Sequence, residues 1–107
     1  MANLKTLELY GNKIGDLGMS SLSEALAKGS LASLTTLSLA ENQIGDEGMV
    51  KFSKSLVMGS MANLSILDLR NNEIGDVGLS ALADVCAEGS LAPGAEVFLG
   101  GNNATDA

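Results

Sequence analysis

The chain has 107 residues and a mass of 10.9 kDa, which suits one domain with one hydrophobic core. Six Lys and Arg residues against thirteen Asp and Glu residues give a formal charge of −7 at pH 7, which disfavours nucleic acid and anionic membrane surfaces as partners. The chain has no His and a single Cys, so histidine general bases, Cys/His zinc sites and intrachain disulfides are excluded. Only 3% of the residues are aromatic while 46% are hydrophobic, which predicts an aliphatic core.

Taken in chain order, the sequence repeats itself with a period of 30 residues. The first unit begins with alternating Leu7 and Leu9, which predict a short strand, and continues with Met19, Leu22 and Leu26, whose spacing predicts a helix. The later strands are predicted around Leu37 and Leu39, Leu67 and Leu69, and Val97 and Leu99; the later helices carry Met49, Phe52 and Leu56, then Leu79, Leu82 and Cys86. Because Cys86 takes the position of Leu26 and Leu56, it is predicted to be a buried apolar side chain.

The helix ends also recur. Aspartates at 16, 46, 76 and 106 stand where an N-cap carboxylate would accept backbone N–H groups of its own helix and meet the helix dipole. Gly29, Gly59 and Gly89 are predicted to end the helices in the left-handed conformation that glycine adopts without a steric penalty. Each unit is therefore predicted to run strand, turn, helix, turn.

Units related by translation place all strands in one direction, so the sheet is predicted to be parallel with right-handed helical crossovers. Strands pair at about 4.8 Å whereas helices pack at about 8 to 10 Å, so the strands must lie on the inside of a curve. The predicted fold is an α/β right-handed solenoid forming a short horseshoe arc, with the sheet concave and the helices convex. Residues 1–107 are predicted to form one domain, with repeats at approximately 2–31, 32–61 and 62–91 and a partial fourth at 92–107.

The pattern LxxLxLxxNxIGDxG, read from Leu4, Leu34 and Leu64, resembles the leucine-rich repeat, specifically its ribonuclease-inhibitor subclass with full helices. That resemblance implies a non-catalytic scaffold for protein binding without a cofactor. Relatives of this kind include ribonuclease inhibitors, sensor domains of intracellular immune receptors, tropomodulins and the Ran GTPase-activating protein. The unit here is uniformly 30 residues long, slightly longer than the usual unit of the subclass.

Several recurring residues have structural explanations that outweigh a ligand role. Asn12, Asn42, Asn72 and Asn102 are predicted to form a ladder that bonds turn backbone groups. The aligned aspartates are too far apart to supply the six to eight oxygens that calcium requires, so no metal is expected. The IGDxG glycines are turn and packing glycines, since no Lys or Ser/Thr follows them at phosphate-loop spacing.

The residues that differ between units are concentrated on the concave surface. Positions 6, 8 and 10 of each unit alternate with the inward-pointing leucines, and the turn positions 11 and 13 lie beside them. A protein partner is predicted to bind there, although an ordinary solvated face explains the same pattern. The candidate residues are Glu8, Tyr10, Lys13, Ser38, Glu41, Gln43, Asp68, Arg70, Asn71 and Glu73.

Two further functions stay open. The chain begins in register with a repeat and carries no polar cap, so it is a candidate for a repeat fragment that forms homo-oligomers through its terminal repeats. Analogy with the Ran activator suggests regulation of a small GTPase, for which Arg70 is the one arginine. The absence of a signal-peptide pattern and of a long apolar run predicts a cytoplasmic protein that does not contact membranes.

Overall fold

A computed structural model of the chain describes residues 4–29, 31–57 and 61–103. Strands and helices alternate along it. The elements are β1 (Thr6–Glu8), α1 (Asp16–Ala27), β2 (Thr36–Ser38), α2 (Asp46–Val57), β3 (Ile66–Asp68), α3 (Asp76–Ala87) and β4 (Glu96–Phe98). Each helix has 12 residues and each strand has three. The order of the elements agrees with the prediction made from the switch between alternating and helical spacing of apolar residues.

The four strands form one parallel sheet in the order β1-β2-β3-β4. Leu7 pairs with Leu37, Leu37 with Leu67, and Leu67 with Val97, so each pairing joins residues 30 apart. Consecutive helices pack side by side, α1 on α2 and α2 on α3. The predicted α/β solenoid, a short arc with the sheet on its concave side and the helices on its convex side, is confirmed.

The core is a stack of aliphatic layers between the sheet and the helices. In the middle of the stack Leu37, Leu67, Met49 and Leu56 are fully buried, and Phe52 is the one large ring among them. Leu7 and Val97, in the first and last strands, are only partly buried because each has a neighbouring strand on one side. Burial in this fold therefore comes from the neighbouring repeat, as expected for a solenoid.

Two of the three predicted helix-ending glycines have the predicted conformation. Gly29 and Gly89 both have φ of +78°, and their N–H groups bond the carbonyls of Leu26 and Cys86. Gly59 lies outside the described residues, as does Asp106.

The prediction that each aspartate caps its own helix is wrong. Gly15 and Gly75 are the N-cap residues of α1 and α3, and glycine has no side chain with which to cap its helix. Instead, Oδ1 of Asp16 accepts the N–H groups of Gly45 and Gly48 in the next repeat, at 2.8 and 2.9 Å. The carboxylate thus stabilises the start of the following helix, because a laterally stacked repeat brings those N–H groups within its reach.

Asp46 makes the same contacts one repeat later: its Oδ1 accepts the N–H groups of Gly75 and Gly78 at 2.8 and 2.9 Å. The geometry also explains the second glycine of each motif. A Cβ added to Gly78 would lie 2.8 Å from Oδ1 of Asp46 and 3.0 Å from Cβ of Met49. The glycine leaves the space in which the carboxylate of the preceding repeat sits.

Cys86 is exposed, contrary to the prediction that it is buried. Leu26 and Leu56, at the same helical position, are fully buried because the next repeat covers them. Beyond α3 the described chain contributes β4 and its turn, which leave the thiol at the edge of an open cavity. Partial desolvation nevertheless raises the pKa of Cys86, which disfavours its reactive thiolate form.

Within residues 4–29, 31–57 and 61–103, no helix is both long and apolar enough to cross a membrane.

Candidate functional site on the concave face

The turns after the strands are held together by the four ladder asparagines. Oδ1 of Asn42 accepts the N–H groups of Asn12 and Ile14 at 2.9 Å each, and its Nδ2 donates to the carbonyls of Leu9, Leu39 and Ala40 at 3.0 to 3.1 Å. Each of these asparagines bonds its own strand end, and those from Asn42 onward also bond the preceding repeat. The direction is opposite to that of the aspartates, which bond the following repeat.

The pattern continues along the stack. Asn72 accepts from the N–H of Ile44 and donates to Leu39 and Leu69, while Asn102 accepts from the N–H of Ile74. Asn42 and Asn72 are buried. Their side-chain polar atoms are therefore hydrogen-bonded to the backbone, and the ladder fixes the turns that border the concave face.

One cluster on the concave face combines a carboxylate, a guanidinium and an aromatic ring. Nε and Nη2 of Arg70 donate to the two carboxylate oxygens of Asp68 at 3.0 and 2.8 Å, a bidentate ion pair. The guanidinium carbon lies 5.4 Å from the centre of the Phe98 ring on the next strand, within cation–π distance. The three residues come from neighbouring strand ends, β3 and β4.

The ion pair shifts the pKa of both partners. The hydrogen bond from Arg70 holds the pKa of Asp68 below its ordinary value against the opposing effect of partial burial, and the same bond raises the pKa of Arg70. The side chain of Asp68 is 15% exposed and that of Arg70 55% exposed. The pair thus presents a guanidinium face to solvent while its charge is largely balanced.

Tyr10, which lies two strands away from Arg70, is 61% exposed. Between Tyr10 and Arg70 in the same register lies Ala40, which is buried at 8% exposure. A methyl group is too short to rise above its larger neighbours. The concave face is therefore recessed at Ala40, between the longer side chains of Tyr10 and Arg70.

The remaining candidates lie where the repeat places them. Glu8, Ser38 and Asp68 are register partners on adjacent strands, with Glu8 exposed and Ser38 and Asp68 half-buried. Lys13, Gln43, Glu41, Asn71 and Glu73 are exposed turn residues. The structure brings Glu41 into electrostatic range of Arg70.

The predicted site lacked Glu96 and Phe98. Both are exposed residues of β4, flanking the half-buried Val97, and Phe98 is 40% exposed. The alternation rule that selects positions 6, 8 and 10 in the first unit selects positions 96, 98 and 100 in the fourth, so the signal was present in the sequence. We use the name concave patch for the set Glu8, Tyr10, Ser38, Glu41, Asp68, Arg70, Glu96 and Phe98.

The third residue after each strand has a left-handed backbone. Its φ is +73° at Gly11, +56° at Glu41, +61° at Asn71 and +75° at Gly101. Glycine adopts this conformation freely and asparagine tolerates it, whereas glutamate pays a steric cost of about 1 kcal/mol. Lys13, two residues further along the first turn, also has a positive φ of 59°.

We therefore expect Glu41→Asn to raise the free energy of unfolding by about 0.5 to 1 kcal/mol, because asparagine fits the left-handed turn better. Urea unfolding followed by circular dichroism measures the change. Glu41→Gln is the matched control: it removes the same charge and keeps the strained backbone, so its stability should equal that of the unmodified chain. Equal stabilisation by both variants would show that charge, not backbone strain, is responsible.

Among the residues the structure describes, no three acidic or cysteine side chains converge in a way that would hold a metal ion. The concave patch is a surface of mixed polar and aromatic groups.

Comparison with family models finds a match to the leucine-rich repeat over residues 1–23, 30–53 and 60–83. The three matched segments follow the 30-residue period and together cover about two thirds of the chain. No curated protein sequence matches the chain.

Proposed function

Because this chain belongs to the leucine-rich repeat family, whose repeats generally mediate protein–protein interaction, we propose that it is a non-catalytic module that binds a partner protein through its concave patch. We also propose that it belongs to the ribonuclease-inhibitor-like subclass, a proposal supported by the 12-residue helix that follows each of the first three strands.

The observation that carries the proposal is the cluster of Asp68, Arg70 and Phe98 with the exposed Tyr10. Arginine and aromatic residues dominate the energetics of protein interfaces because they combine large contact area with directional polar groups. Here the ion pair orients the guanidinium and the ladder asparagines fix the strand ends below it. A surface ordered before binding loses less entropy on association.

Affinity capture with variants tests the proposal. The double variant Tyr10→Ala/Arg70→Ala is compared with the double variant Leu17→Ala/Val77→Ala, which truncates two exposed apolar side chains of the convex helices. A partner of the concave patch is retained by the unmodified chain and by the convex variant, and lost by the concave variant. Retention of every captured protein by the concave variant would refute the proposed function.

A specific observation supports homo-oligomer formation as a second candidate. An open cavity of about 590 Å³ lies beside β4, with walls that include Cys86, Leu91, Ala95 and Val97. The equivalent surfaces of the inner repeats are covered by a following repeat, so a second copy with its own exposed end has a matching apolar surface. Light scattering over a concentration series distinguishes the two: Val97→Lys should dissociate such an oligomer, and a strict monomer at all concentrations would exclude it.

Regulation of a small GTPase receives less support from the geometry. An arginine that stabilises phosphate charge must reach a nucleotide, whereas Nε and Nη2 of Arg70 are both engaged by Asp68. A role in protein binding, by contrast, is compatible with the ion pair between Arg70 and Asp68.

A further inference from the structure

Resting on the proposed function, we infer that the segment bound by the concave patch is cationic: an extended stretch of a partner protein with Lys or Arg residues about five positions apart. Four features of the patch support this: its unpaired carboxylates, their spacing, the backbone of Glu41 and the exposed aromatic rings.

The patch carries carboxylates that the described chain does not neutralise. Glu8, Glu41, Asp68 and Glu96 face one cation, Arg70, which is taken by Asp68 in the bidentate pair. Within residues 4–29, 31–57 and 61–103, no Lys or Arg lies within ion-pair distance of the other three carboxylates. A cationic segment would supply their missing partners, and an acidic one would be repelled.

The spacing of these groups defines the segment. Glu8 lies on β1 and Glu96 on β4, three strand spacings away and offset by two residues along the strand, since the register partner of Glu8 on β4 is Phe98. The two positions are therefore about 16 Å apart, and five residues of an extended chain, which rises about 3.3 Å per residue, span that distance. Basic side chains five positions apart would therefore meet Glu8 and Glu96 as the segment crosses the strands, with Glu41 bordering the path.

Glu41 adds an independent indication. The same turn position is glycine in the first and fourth units, and the left-handed φ of +56° makes glutamate the least favourable of the four residues found there. Local strain of this kind is found at functional sites, where a side chain is kept at a cost to stability. A recognition role for the carboxylate accounts for its presence.

The aromatic rings fit the same partner. A cation is attracted to the face of an aromatic ring, and Tyr10 is 61% exposed next to Glu8. Helix α2 lacks this character, since it interleaves Lys51 and Lys54 with Glu47 on its exposed surface. Charge and aromatic groups thus favour the concave patch over this helix for a basic segment.

Nuclear magnetic resonance titration of the full chain tests the inference. The probes are a synthetic peptide of repeating Lys-Ser-Thr-Leu-Ser units and its counterpart with Glu in place of Lys. We expect the lysine peptide to shift amide resonances of β1 to β4 and to weaken as salt is raised, and the glutamate peptide to cause no such shifts. Absence of shifts with the lysine peptide, or equal shifts with both peptides, would overturn the inference.

A matched pair of triple variants separates the patch from the overall negative field. Glu8→Gln/Glu41→Gln/Glu96→Gln should weaken the lysine peptide about tenfold, as expected for three exposed ion pairs. Glu24→Gln/Glu47→Gln/Asp84→Asn removes the same charge from exposed convex positions and should weaken it less than about twofold. Equal weakening by both would show that net charge, not the patch, attracts the peptide.

The proposed function can fail separately from this inference. If a captured partner depends on Tyr10 and Arg70 but binds through a neutral or acidic segment, the inferred chemistry is wrong and the concave binding function stands. If capture is unaffected by those substitutions, the binding function itself is wrong.

Discussion

The Asn42→Ala variant is expected to lose about 3 kcal/mol of unfolding free energy. The substitution removes five hydrogen bonds at once and leaves the N–H groups of Asn12 and Ile14 without their shared acceptor. Asn42 is only 7% exposed, so water has little access to replace these contacts. Each buried group left unpaired costs about 1 to 3 kcal/mol.

The first unit offers a control in the same register. Asn12 is exposed, and its side chain donates only to the carbonyls of Leu9 and Tyr10. Asn12→Ala should therefore cost less than about 1 kcal/mol. Urea unfolding of both variants measures the difference; equal losses would mean that the contacts to the preceding repeat contribute nothing to stability.

Removal of the Asp46 carboxylate is expected to cost about 2 kcal/mol. Its Oδ1 accepts two N–H groups at the start of α3, and its negative charge lies near the positive end of that helix dipole. Asp46→Ala removes the acceptor and the charge together. Asp46→Asn keeps an oxygen acceptor without the charge, so its loss should be intermediate.

Glu47→Ala is the matched control for the carboxylate effect, because Glu47 is an exposed acid in the first turn of α2. Its loss should stay below about 1 kcal/mol. Hydrogen exchange locates the effect: the amides of Gly75 and Gly78 should exchange faster in Asp46→Ala and unchanged in Glu47→Ala. A loss no larger in Asp46→Ala than in the control would show that the contact between repeats is energetically neutral.

These two sets of contacts explain how a sheet of three-residue strands supports a binding surface. Asparagines bond the preceding repeat near the strand ends, and aspartates bond the following repeat at the helix starts. Each repeat is therefore fixed to both neighbours by polar contacts in addition to its leucine layers. A platform joined in this way holds Tyr10, Arg70 and Phe98 in fixed relative positions, which lowers the entropy cost of binding.

The sequence by itself determined the element order, the parallel register, the aliphatic core and the strand positions that face outward. It could do so because these depend on local apolar spacing and on a translational period, both visible in one dimension. The same alternation, applied to the fourth unit, would have added Glu96 and Phe98 to the predicted site. The period also predicted left-handed glycines at Gly29 and Gly89.

Only the tertiary structure decided which groups meet across repeats. Asp16 and Asp46 accept N–H groups at the start of the next helix instead of their own, because side-by-side stacking of the repeats places those N–H groups within reach of the carboxylates. Cys86 is exposed while its equivalents Leu26 and Leu56 are buried, because burial depends on the following repeat. The pairing of Arg70 with Asp68 and its stacking on Phe98 likewise depend on side-chain positions across adjacent strand ends, which a linear period does not specify.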